Sequence, residues 1–155
     1  MNLNIALLSF ILTFCISPTW SEVTPTLNSD AIKATFGSYG VTILNQTEST
    51  RVANLYSGHS GREICRTLAV TEFVLPMDPK LSLEHEKIRS GGSIGATLRD
   101  AGFSINKKLL IKTETVAGPA FSHLSNQTVE PGTPLVTRVY ALFAQTSERA
   151  IPYAI

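Results

Sequence analysis

Two stretches of this chain read alike without a gap. Thr50-Arg-Val-Ala-Asn-Leu-Tyr-Ser-Gly-His-Ser-Gly-Arg-Glu-Ile-Cys-Arg-Thr-Leu68 aligns on Thr137-Arg-Val-Tyr-Ala-Leu-Phe-Ala-Gln-Thr-Ser-Glu-Arg-Ala-Ile-Pro-Tyr-Ala-Ile155. The pairs Thr50 and Thr137, Arg51 and Arg138, Val52 and Val139, Leu55 and Leu142, Ser60 and Ser147, Arg62 and Arg149, and Ile64 and Ile151 are identical. Most other pairs keep their apolar or polar character, so each copy alternates around a polar turn in the manner of a β-hairpin. Two copies are too few for a solenoid, which needs about three units to bury a continuous core. A duplicated hairpin in one antiparallel sheet, related by a pseudo-two-fold axis, fits the pattern. The alternative is that two amphipathic hairpins converged on similar sequences.

The segments around the repeat supply the remaining elements. Asn28-Ser-Asp30 ahead of Ala31, Ile32, Ala34 and Phe36 predicts a capped short helix ending near Gly37 and Gly40, with a strand at 41–44. The first hairpin is expected from 51–56 and 64–74. After Pro76-Met-Asp-Pro79 breaks the chain, 82–89 has helical spacing, Gly91-Gly92 interrupts, and a second helix runs over 93–100. Residues 105–115 return to strand, 118–134 read as a long Gly/Pro/Ser-rich loop, and 135–144 with 150–155 close the second hairpin. Strands dominate and no βαβ alternation occurs. The expected class is α+β, a single antiparallel sheet of about six strands with helices on one face.

The first 21 residues carry no charged side chain, and Ile5 to Ile16 form an apolar run of signal-peptide length, too short to span a bilayer. Thr19 and Ser21 are small residues placed for cleavage before Glu22. Residues 1–21 are therefore expected to be a signal peptide and 22–155 one periplasmic or secreted domain, without stable membrane association after cleavage. With no Lys or Arg before the run, a retained anchor is the other reading. Phe14 before Cys15 argues against lipidation. Cleavage leaves roughly 130 residues, enough to bury about two-thirds of the unfolded surface, and a single cysteine, Cys65, which forms no internal bridge and reads as a core residue. Asn45-Gln-Thr47 and Asn126-Gln-Thr128 are glycosylation sequons.

The residues resemble the chorismate lyases and the related UTRA ligand-binding domains. Ile32-Lys-Ala-Thr-Phe36-Gly-Ser-Tyr-Gly40 is similar to the family's first helix. Arg51 opening a strand, followed by Arg66-Thr67, resembles its Arg-led strand and its Arg-Thr; Ser93-Ile-Gly95 with Leu98 resembles its Pro-Leu-Gly helix start, and 138–152 its last hairpin. The resemblance implies a six-stranded antiparallel sheet with helices on one face, a buried cavity, and removal of pyruvate from chorismate without metal or cofactor. It places Arg51 at the carboxylate-binding Arg, Ile94 at the residue whose backbone amide contacts ligand, and Ile32 at the Met lining the pocket. Ordinary core is the other reading of both isoleucines, and an exposed strand-edge cation that of Arg51. The family's catalytic Glu stands a few residues past a Pro in the last hairpin, whereas Pro152 here is followed only by Tyr153, Ala154 and Ile155. No catalytic residue is therefore assigned. Glu148, in the turn, is the nearest acid.

Other chemistries have little support. His59, His85 and His123 are dispersed, and Glu84-His85-Glu86 lacks a second His on the same face, so no metal site is expected. Gly58-His-Ser-Gly61 has neither nucleophile-elbow nor phosphate-loop spacing. Lys107-Lys108 and Lys112 have no interleaved aromatics, and a formal net charge of +1 with 16% charged residues excludes a general nucleic-acid binder. The expected function is binding of a small aromatic acid or other carboxylate, with pyruvate-lyase turnover weak or absent. A structural or protein-interaction module without a pocket is the alternative, and a cavity reached by the Arg51 guanidinium would separate the two.

Overall fold

A computed structural model of the protein describes residues 27–125, 127 and 129–155. The expected leader, 1–21, and Asn126 of the second sequon lie outside the described residues, while Asn45 is exposed near the end of a strand. The elements are α1 (Asn28–Phe36), β1 (Gly40–Gln46), β2 (Thr50–Ser57), β3 (Ile64–Glu72), α2 (Ser82–Arg89), α3 (Ile94–Asp100), β4 (Ser104–Val116), α4 (Pro119–Ser125), β5 (Pro134–Gln145) and β6 (Ala150–Ala154). The class is α+β. Gly37 closes α1 at φ 79°, its N–H bonding the Lys33 carbonyl at 2.9 Å, as a left-handed helix end requires. Asn28, expected as the cap, lies inside the helix, and no side chain caps it.

The strands form two three-stranded antiparallel sheets, β1-β2-β3 and β4-β5-β6, where one sheet of about six was expected. Their junction is narrow. Glu72 and Ile155 exchange backbone hydrogen bonds at 2.8 and 2.9 Å, the Val74 N–H reaches the Tyr153 carbonyl at 2.9 Å, and Phe73 bridges Ala154. Each sheet also carries two register irregularities, which increase local twist and let the sheets diverge from that seam.

The irregularities fall at matching places. In the first hairpin Leu55 faces Thr67 and Tyr56 faces Cys65; in the second Leu142 faces Ala154 and Phe143 faces Pro152. These pairs are the aligned residues of the sequence repeat. The strands ahead of the hairpins agree as well: Val41 faces Leu55 as Lys107 faces Leu142, and Leu44 and Leu110 are skipped by their ladders.

Two apolar clusters hold the layers together. Phe73, Leu81, Ile88, Leu98, Ala144, Ile151 and Tyr153 join α2 and α3 to β5 and β6. Leu68, Ala117, Phe121 and Leu135 form the second, beneath α4. The 118–134 stretch, expected to be loop throughout, is helical over Pro119–Ser125. Residues read as loop hold α4, and α4 covers the opposite face from α1: Asn54, which alternates with Arg51, Ala53 and Leu55 along β2, donates to the Ser125 carbonyl at 2.6 Å. Helices therefore flank both faces, because the surface around Leu68 and Leu135 also needs a cover.

Candidate functional site

A cleft of about 100 Å³ opens where the two sheets meet α1 and α3. Its lining comes from α1, α3 and both sheets, in which Val41 and Lys107, Ala53 and Tyr140, and Leu55 and Leu142 hold corresponding ladder positions. Arg51, Ala69 and Thr71 add to it from the first sheet alone. Both sheets contribute to the cleft, and its chemistry is nonetheless one-sided.

Arg51 is 3% exposed, so the strand-edge reading of this residue does not hold. Strand β2 turns it inward beside Ala53, and its Nη1 donates to the Ile88 carbonyl at 3.2 Å and the Gly92 carbonyl at 2.8 Å. Both acceptors belong to the end of α2 and the turn to α3. Gly91 takes φ 111° there, and a Cβ on Gly92 would stand 2.8 Å from the Lys87 carbonyl oxygen. The Gly91-Gly92 pair that interrupts the helical pattern is thus what lets the turn aim its carbonyls at the guanidinium. Among the described residues no carboxylate lies within ion-pair distance of Arg51. Burial lowers its pKa, though a guanidinium stays charged. Carbonyl dipoles satisfy some of its donors and leave its net charge uncompensated, and buried charges are ordinarily paired.

Two phenols and an amine join Asn28, Ser29, Thr71 and Ser93 in the polar lining. Tyr39 bonds Ser93; burial raises its pKa, while the Ser93 bond and the Arg51 charge pull it down. Lys107, on β4, donates from Nζ to Asn28 Oδ1 at 3.4 Å and lies 5.3 Å from the centre of the Tyr140 ring. Burial brings its pKa down to about 8, with Asp30 opposing the shift. None of the lining side chains is a carboxylate.

Of the residues assigned by resemblance, Arg51 and Ile94 meet in this cleft. Ile32 does not line it; it is 2% exposed on the buried side of α1, so it supports the helix rather than a ligand. Glu148 lies elsewhere, its side chain 75% exposed and paired with Lys80 at 3.2 Å. Sequence reasoning grouped Lys107 with Lys108 and Lys112 as a surface patch. Strand alternation separates them, sending Lys107 inward with Ile105 while Lys108 stays exposed, and the period-two pattern of β4 held that signal. No cluster of three metal-binding side chains occurs among the described residues, and no described helix is long and apolar enough to cross a membrane. No family model, curated protein or solved structure matches this chain.

Proposed function

We propose that the domain is an exported receptor for a small carboxylic acid, with the acid seated on Arg51 inside the cleft. The observation that carries this reading is a buried guanidinium, open to a mainly apolar cleft, without a carboxylate partner among the described residues. A ligand anion supplies the missing charge, and the planar fork of arginine suits a carboxylate. Size narrows the class. A closed cavity of about 150 Å³ admits benzene, so a cleft of about 100 Å³ that opens to solvent limits the ligand to one ring at most, with part of it outside.

The same reading makes the protein a divergent relative of the chorismate lyases, built from two copies of an α-β-β-β unit. What supports the duplication is the agreement of both hairpin registers and both skipped leucines with the gapless sequence repeat. A cleft without a carboxylic acid among its lining side chains lacks the family's proton donor, so binding is retained and lyase turnover is slow or lost. The interaction-module reading requires no cleft and leaves the buried Arg51 without a purpose.

Calorimetry of the purified protein with 4-hydroxybenzoate tests the proposal. Binding should weaken about tenfold to a hundredfold in Arg51→Ala, the range of one charge-assisted bond. A folded wild-type protein that binds neither this acid nor smaller carboxylates overturns it. A parallel assay should find little or no release of 4-hydroxybenzoate from chorismate.

A further inference from the structure

The cleft contains a group that carboxylate binding does not use. Lys107 enters from β4, on the sheet opposite Arg51, and its ammonium is held by Asn28 from α1 and by the face of Tyr140 from β5. Elsewhere on the strand Lys108 and Lys112 point to solvent. A lysine half-buried in a mainly apolar cleft is the arrangement that favours the uncharged amine near neutral pH.

We infer that Lys107 is a nucleophile, condensing reversibly with the carbonyl of a small 2-oxo acid whose carboxylate sits on Arg51. The inference rests on the carboxylate reading above and adds a covalent step to it. The free amine attacks the carbonyl carbon, forming the C–N bond. The carbonyl oxygen then leaves as water, taking up the two amine protons, and a C=N bond remains. No oxidant or reductant is consumed.

Burial favours that step, and Asp30 opposes it. Asp30 from α1 and the Tyr140 ring from β5 act on Lys107, Arg51 from β2 and the Tyr39 phenol line the same cleft, and Asp30 is itself bound by Arg99 of α3 at 3.0 Å. With its pKa brought down to about 8, Lys107 holds a far larger unprotonated share at pH 7 than an ordinary lysine. The Arg51 carbonyl contacts fix the acid's position while the amine approaches, so affinity and reactivity come from different sheets.

Reductive trapping tests this. The full protein is incubated at pH 7 with 2-oxobutanoate and cyanoborohydride, and in parallel with the neutral ketone butanone, and labelled lysines are mapped by peptide mass spectrometry. Lys108 and Lys112 serve as internal standards. The expected result is labelling of Lys107 by 2-oxobutanoate at least tenfold above either standard, no such preference with butanone, and loss of the preference in Arg51→Ala. The advantage should narrow as the pH rises toward the ordinary lysine range. Binding of 4-hydroxybenzoate with no preference at Lys107 overturns this inference and leaves the carboxylate reading intact. Equal preference for Lys107 with both ketones overturns the Arg51 anchor and the reading with it. Because the mapping is done on wild-type protein, the result does not depend on how a Lys107 variant folds.

Discussion

The two sheets share a backbone plan and divide the work. Each has a bulged outer strand, a central strand that carries Thr-Arg-Val and a hairpin with one irregularity at the same aligned step. Yet Arg51 is buried in the cleft, while its counterpart Arg138 is half-buried, faces Lys112 across the ladder and does not line the cleft. The difference comes from what packs above each sheet. Arg51 meets the α2–α3 turn with its two carbonyls, and the described structure gives Arg138 no such turn. Matching strand geometry therefore does not make matching chemistry; the connection that follows a strand decides whether its cation is recruited.

The largest expected contrast lies in the aligned pair Tyr153 and Arg66. Tyr153 is fully buried, with Phe73 and His85 at its edges, whereas Arg66 stacks on the Phe36 ring at 3.7 Å and bonds the Ser57 hydroxyl at 2.9 Å. Tyr153→Ala should cost about 3–5 kcal/mol in urea unfolding, as large aromatic truncations do, and Arg66→Ala about 1 kcal/mol or less. Similar losses at both positions would show the two hairpins to be energetically equivalent.

The second contrast concerns ligand rather than stability. Arg51→Ala should weaken 4-hydroxybenzoate binding about tenfold to a hundredfold, and Arg138→Ala should leave it within about twofold, read by calorimetry. An effect at Arg138 would extend the site along the second sheet.

Acidification probes the seam of the second sheet. His85 is buried against Tyr153, with Nδ1 3.1 Å from the phenol oxygen, and burial lowers its pKa below 6.5, aided by Arg89. With Nε2 protonated, Nδ1 accepts the Tyr153 O–H; a doubly protonated ring cannot. Between the folded and unfolded pKa values the unfolded chain binds more protons, so stability is full above about 6.5 and falls as the pH drops through the lower folded value. Melting temperatures across pH 7 to 5 should decline, and His85→Gln should remove part of that slope.

The smallest contrast is between the skipped residues. Leu44 packs against the cluster under α4, while Leu110 is well exposed. Leu44→Ala should cost about 1–2 kcal/mol and Leu110→Ala about 0.5 kcal/mol or less, measured by urea unfolding.

Strand and helix positions were legible because they depend on local pattern. Residues 82–89 show this, as do the hairpin strands, whose alternation is interrupted only at their register irregularities. Local pattern was weaker for α4: seven residues after Gly118 with one large apolar anchor, Phe121, give no repeating face to detect, although Pro119 at the first helical position was a usable signal. The division into two sheets was not legible, since a seam of a few bonds at Glu72, Val74 and Ile155 leaves no compositional trace. At the site, Arg51 was found through its place on the strand and Ile94 through a short motif. Tyr39, Asn28 and Tyr140 were missed because their convergence is tertiary, joining residues from α1, the turn before β1, and β5.

The skipped leucines have a consequence for behaviour in concentrated solution. Strands β1 and β4 are the outer strands of their sheets, and a flat outer strand is a template on which another chain can add. A bulge at Leu44 and another at Leu110 interrupt the run of hydrogen-bonding groups on both, and Lys108 and Lys112 place charge along the longer one. The same irregularities that repeat between the halves thus act as a guard against strand-to-strand stacking and fibre growth.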